Sequence, residues 1–350
     1  MTAFNGFKAK CRGFSHEESN TVCQDATEYF CDENIAVCTI SDGHGSEKYF
    51  RSDVGSEKAV DVSVEAVRTF IARQIALNRE DETQNNGQEL TANSYPKLLS
   101  DLAGHIVSRW VDEVQAHWDE VSCNEDEKTL FDKHFPNAAK DEIKAYVTKI
   151  YGATLIIGVM TEHFGFVMQI GDGAACVIKK EGSKIFANTI DENQYLGQTN
   201  SLSSSNCLPR FRFDYFESIP KAIVVASDGV ADSYAGNDGK DFLSFCEKLV
   251  NLYSGNYEQA QGFVEDWLPQ LSKEGSQDDM SIAGVFLMPD ELEPNIDDEM
   301  NEDASKEVTV SESEETAVPK AREIADEMNA DASKEIDISE EEEVVDEKRD

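Results

Sequence analysis

Positive charge is what this sequence has least of: 31 Lys and Arg face 70 Asp and Glu across 350 residues, a formal net charge of −39. A chain so acidic repels nucleic-acid backbones and anionic lipid surfaces, so no nucleic-acid partner and no membrane partner is expected. Any apolar run of about 18 residues is also missing, which speaks against a membrane-spanning helix. The opening segment MTAFNGFKAKCRGFSHEE has no apolar core of the roughly 7–15 residues that a secretory leader needs, so a cytoplasmic location is expected. Cysteine is sparse: Cys11, Cys23, Cys31, Cys38, Cys123, Cys176, Cys207 and Cys246 stand singly, with no C-x-x-C pair. That spacing argues against a zinc cluster or a dithiol redox centre and for buried free thiols.

The charge is uneven. From Asp290 to Asp350 there are 25 Asp and Glu against six Lys and Arg, a net −19, and no aromatic residue at all. Within it Asp298-Glu-Met-Asn-Glu-Asp-Ala-Ser-Lys-Glu307 recurs 28 residues later as Asp326-Glu-Met-Asn-Ala-Asp-Ala-Ser-Lys-Glu335. Two copies are too few for a solenoid, and so few apolar groups cannot offset an ordering entropy of ~1–2 kcal/mol per residue. The chain is therefore read as a folded unit over 1–289 followed by an acidic, solvated tail over 290–350. A basic protein is the partner such a tail would take, and Ser311 and Ser339, set in Glu runs, are candidate phosphorylation sites.

Within 1–289 the apolar pattern changes period. Phe30 to Ile40 reads as one buried strand ending in a turn at Ser-Asp-Gly. Val60, Val64, Val67, Ile71 and Ile75 recur at helical spacing and predict a long helix over 47–78; Leu99, Leu102, Ile106, Trp110, Val114 and Trp118 predict a second. The polar stretch between them predicts a surface loop. After Gly152 the runs ATLIIGVM, HFGFVMQI and ACVIKK predict consecutive strands of one antiparallel meander. KAIVVAS and MSIAGVFLM are two more strand candidates, separated by helices over 241–253 and 258–271. Strands, a helix pair and more strands describe an α+β layered domain.

Aspartates cluster where those runs end: Asp42 in Ser-Asp-Gly-His-Gly, Asp228 in Ser-Asp-Gly, Asp278 in Gln-Asp-Asp-Met-Ser, and Asp25 in Cys-Gln-Asp-Ala just before the first long strand. A single such Asp is usually a turn residue. Four of them beside small neighbours suit a hard divalent cation, which takes carboxylate and carbonyl oxygens and needs close backbone approach. Asp172, in Gly-Asp-Gly, reads as a turn residue of the meander rather than a ligand.

The ordered series Gly13-Phe-Ser-His16, Cys23-Gln-Asp25-Ala, Ser41-Asp-Gly-His-Gly45, Gly152-Ala-Thr154, Ile170-Gly-Asp172-Gly, Ser227-Asp-Gly229 and Asp278-Asp-Met-Ser281 resembles the metal-dependent serine/threonine phosphatases of type 2C. It is most similar to the bacterial branch opening with Ser-His and Cys-Gln-Asp, over about residues 9–288. The resemblance implies a four-layer α+β sandwich: two antiparallel sheets flanked by helix pairs, with two Mg²⁺ or Mn²⁺ ions at one end. It implies that Asp42 bridges the two ions, the Gly43 carbonyl and Asp25 serve one of them, and Asp228 and Asp278 complete the other set. His44 matches the general acid, and the implied substrate is a phosphoprotein carrying phosphoserine or phosphothreonine.

Two departures stand out. Many relatives grip phosphate with an arginine a few residues before the first acidic pair; here that stretch reads Ser-Asn-Thr-Val-Cys-Gln, and Gln24 replaces an acidic residue. His16, Arg12 and Arg51 are the substitutes within reach of the motif. Val147-Thr-Lys-Ile150 holds no acidic residue for a third ion. These departures keep open an alternative, a catalytically weak phosphatase-like module that binds phosphoproteins or presents its tail.

Overall fold

The structure is a computed structural model that describes residues 3–79, 89–136, 144–187, 199–234 and 239–288. The acidic segment 290–350 with its repeat, the boundary expected at 289 and most of the polar loop after residue 79 lie outside the described residues. Among the described residues, ten strands form two antiparallel sheets. One contains β1 (Phe4–Cys11), β6 (Ala174–Ile178), β7 (Lys184–Ala187), β9 (Ala222–Ala226) and β10 (Met280–Leu287), in the order β1-β10-β9-β6-β7. The other contains β2 (Ala26–Cys31), β3 (Ile35–Ser41), β4 (Leu155–Thr161), β5 (Gly165–Ile170) and β8 (Arg212–Phe216), in sequence order.

Each inner strand is apolar on both faces because each sheet lies between its partner sheet and a layer of helices. On β3, Ile35 and Val37 join the core beneath α2 (Ser52–Arg79) and α3 (Tyr95–Glu120), while Ala36, Cys38 and Ile40 join the core between the sheets. On β9, Val224 faces α7 (Lys240–Gly255) and α8 (Tyr257–Glu274), and Ile223 and Val225 face the other sheet. That alternation is the period-2 geometry of a strand, and it is why these segments read as unbroken apolar runs. The sheets press close at Gly158, where a Cβ would sit 2.5 Å from Ile223 of the other sheet. The four-layer α+β sandwich expected from the sequence is observed.

Three expectations are corrected. The Phe30–Ile40 run is the hairpin β2–β3, not one strand. The Asp32 carboxylate accepts the backbone N–H of Asn34 (2.8 Å) and Ile35 (3.0 Å), an Asx-type turn that reverses the chain. The three runs after Gly152 are also not one meander: β4 and β5 pair, but β6 crosses to the other sheet and pairs with β7 and β9. Gly171, at φ 114°, turns the chain there. The helix expected from residue 47 starts at Ser52, after a 3₁₀ turn over Glu47–Tyr49. The cysteines are all free, and Cys38, Cys176, Cys207 and Cys246 are buried. No helix among the described residues is long and apolar enough to cross a membrane.

Helix α2 packs tightly against α3 and the turn that precedes β4. A Cβ on Gly55 of α2 would lie 1.9 Å from the Tyr151 carbonyl oxygen, while the Trp110 indole of α3 donates to the Gly55 carbonyl at 2.9 Å. Gly55→Ala is therefore expected to destabilise the protein by about 2–3 kcal/mol through overpacking. Gly104→Ala in α3, where nothing lies within 4 Å, is expected to add ~0.5–1 kcal/mol by helix propensity. Urea unfolding of the two variants checks the contrast; equal effects would contradict the packing read here.

Candidate metal centre

Strand register brings the aspartates to one end of the sandwich. Ala26 pairs with Ser41, so Asp25 and Asp42 leave the same end of β2 and β3. Ala226 pairs with both Ile282 and Ala174, which brings Asp228, Asp278 and Asp172 to the matching end of the other sheet. Thr154 holds Asp42 in place: its hydroxyl accepts the Asp42 N–H (3.0 Å) and its N–H donates to the Asp42 carbonyl (2.8 Å). Asp228 opens α6 (Asp228–Asp232), directly after β9.

Carboxylate oxygens of Asp42, Asp172 and Asp228 all lie within 4.8 Å of one another. Asp172 is thus the residue that sequence reading missed. It does sit in a turn, but the turn delivers its carboxylate into the cluster, where Thr199 donates to it at 2.5 Å. Only the long-range pairing of β6 with β9 makes that convergence, and no local signal carries it. Asp25, fully buried, and Asp278, exposed, flank the trio.

Such a grouping is electrostatically costly without a cation. Burial first, then the charges of Asp25 and Asp228, push the Asp42 carboxyl well above the usual range. Burial pushes Asp25 up to about 8 against the pull of the Ser281 and Ser227 hydroxyls, with Asp279 and Asp228 adding to the rise. Asp228 is pushed up to about 6 by burial and by the Asp172 charge. Asp25 Oδ2 and Asp228 Oδ1 are buried with no hydrogen-bond partner. Unpartnered hard oxygens and mutually repelling carboxylates are what a divalent cation would satisfy, so the donor set fits one.

The surroundings are arranged around this cluster. Gly43 donates to the Gln24 carbonyl at 3.1 Å, and a Cβ there would meet the Gln24 and Ser52 carbonyl oxygens at 2.7 Å. The Gln24 side chain donates to Ser52 Oγ (2.7 Å) and to the His44 carbonyl (3.3 Å), so it acts as a brace between segments. His44 donates its N–H to the Gly152 carbonyl and its ring packs 4.5 Å from Tyr49. Burial lowers the His44 pKa and Lys48 adds to the drop, while Asp172 opposes both.

Of the candidate phosphate-gripping residues, Arg51 is 4% exposed and committed elsewhere. It donates to Glu127 (2.7 and 3.0 Å), Tyr151 Oη (3.0 Å) and the Val121 carbonyl (3.1 Å). Arg12 reaches the Thr21 carbonyl at 3.4 Å. His16 Nδ1 lies 3.0 Å from Asp279 Oδ1.

A family model described as protein phosphatase 2C matches residues 12–271. The chain belongs to that family, whose members are protein serine/threonine phosphatases. Similar solved structures include the catalytic domain of the serine threonine protein phosphatase PstP in complex with 2 manganese ions (12% identity, TM-score 0.45, covering 82% of this chain and 100% of that one). Others are the Mycobacterium tuberculosis phosphatase PstP/Ppp (12%, TM-score 0.44, 81% and 98%) and PppA of Pseudomonas aeruginosa (12%, TM-score 0.47, 82% and 99%). No curated protein matches the chain.

Proposed function

We propose that this phosphatase hydrolyses phosphoserine and phosphothreonine in proteins and depends on two Mg²⁺ or Mn²⁺ ions held at the carboxylate cluster. The observation that carries the reading is the meeting of Asp42, Asp172 and Asp228 oxygens, flanked by Asp25 and its unpartnered Oδ2. Asp42, the Gly43 carbonyl, Asp25, Asp172, Asp228 and Asp278 are the residues that would hold the ions. When bound, they would acidify a water near neutral pH and offset charge on the phosphoryl oxygens.

The chain's own residues supply the rest. Thr154 fixes the Asp42 backbone from both sides, so the carboxylate arrives in one orientation. The Gly43 to Gln24 contact leaves no room for a side chain between the Asp42 turn and the Asp25 segment. His44, whose backbone N–H donates to Gly152 and whose ring packs on Tyr49, would give a proton to the departing serine or threonine oxygen. The test is hydrolysis of phosphoserine and phosphothreonine peptides with Mn²⁺ or with chelator. Release of phosphate only with the ion is expected; equal release in chelator contradicts the reading.

A further inference from the structure

In a chain of net charge −39, lysines gather at the end of the sandwich away from the aspartate cluster. We propose that the acidic segment from Asp290 to Asp303 docks on that lysine patch of its own domain. Strand register builds the patch. At that end Ala222 pairs with both Ile178 and Phe286, and the Lys221 N–H donates to the Ile178 carbonyl at 2.8 Å. The turn between β6 and β7 follows directly: the Lys179 N–H donates to the Ser183 carbonyl and the Gly182 N–H to the Lys179 carbonyl, each at 2.9 Å. Lys179 and Lys180 are therefore neighbours of Lys221. Helix α7 packs alongside, since Lys184 donates to Glu247 (2.5 Å) and Lys221 to Asn251 (3.3 Å), with Lys248 in the same helical turn.

Charge within these segments is out of balance. The acids among them are Glu181, which accepts from Ser183 Oγ, and Glu247, which Lys184 engages. Lys179, Lys180 and Lys248 form no ion pair among the described residues. The occupant follows from where the chain goes next. The Leu287 N–H donates to the Lys221 carbonyl (2.9 Å) and the Met288 N–H to the Ala3 carbonyl (3.0 Å), so the last described residues lie beside the patch. Asp290 comes three residues after Leu287, at most about 11 Å at full extension. From Asp290 to Asp303 there are eight Asp and Glu and no Lys or Arg. A tether this short keeps the effective concentration high, so exposed contacts worth only a few-fold each act together. Strand β10 separates this exit from Asp278 by about 27 Å, and docking there keeps these carboxylates from competing for the hard cations of the aspartate cluster.

The test uses the full chain, a zero-length carbodiimide that joins lysine to carboxylate, and mass spectrometry of the linked peptides. In low salt, links from Lys179, Lys180, Lys221 or Lys248 to 290–303 are expected, and about 0.5 M NaCl should remove most of them. When isotope-labelled and unlabelled chains are mixed, the links should stay within one isotope. Links that join the two isotopes place the segment on a second copy and overturn the proposal. Links chiefly to Lys10, which donates to the Asp25 carbonyl at the metal end, or a pattern that salt leaves unchanged, also overturn it. A chain carrying Lys179→Glu, Lys180→Glu and Lys248→Glu tests the patch itself. Its 290–303 segment should be cut by a glutamate-specific protease about tenfold faster than in the parent, from three contacts of a few-fold each. A rate within about twofold of the parent overturns the proposal. If that chain misfolds, the parent decides: measured against the free 290–303 peptide, its cleavage should quicken about tenfold as salt rises, and salt-independent cleavage overturns the proposal. None of these readouts uses phosphatase activity, so their failure leaves the hydrolytic reading untouched.

Discussion

Asp42→Asn is expected to lower turnover of a phosphothreonine peptide by about a thousandfold or more, ~4 kcal/mol at the transition state. The same substitution should raise the melting temperature of the metal-free protein. Both signs come from one geometry. Asp42 sits among Asp25, Asp172 and Asp228, so its charge is useful only when a cation offsets it. Removing that charge relieves the repulsion in the metal-free state and removes the donor from the metal-bound one. Loss of activity together with loss of apo stability would point to a structural role for Asp42 instead.

Metal-free protein should become less stable as pH rises from about 5 to 8.5, by several kcal/mol in order of magnitude. A carboxyl whose pKa is raised on folding stabilises the native state while it is protonated. That contribution is full below its unfolded value of 3.8 and is lost as pH climbs through about 6 for Asp228 and about 8 for Asp25. On the proposed function Mn²⁺ would bind the deprotonated carboxylates, so it should raise the melting temperature far more at pH 8 than at pH 5. Thermal melts in chelator and in Mn²⁺ at the two pH values measure this. A metal-independent melting curve, or a larger shift at pH 5, would contradict the assignment.

The sequence made visible what depends on neighbours in the chain. The inner strands announce themselves because both faces are buried, and the Asp-Gly turns because they interrupt apolar runs. Missing from that reading were β1, β7 and β8, all sheet edges, where half-exposed positions dilute the apolar signal. The β2–β3 hairpin was hidden because its turn rests on one side chain, Asp32, inside an apolar stretch. Long-range partners hid the rest. Asp172 reaches the cluster only through the crossing of β6 to the other sheet, and Asp279 receives its donors from Gly13 and Gln24, 266 and 255 residues earlier. Arg51 shows the opposite failure: its place near the motif suggested phosphate, but Glu127 and Tyr151, 76 and 100 residues onward, engage its guanidinium.

Crystals soaked in Mn²⁺ and measured at the manganese absorption edge test the central claim most directly. Two anomalous peaks at this end of the sandwich are expected, with Asp42 touching both and Asp25 and Asp228 each touching one. An empty anomalous map over those carboxylates, in protein that still hydrolyses phosphopeptides, would contradict the claim.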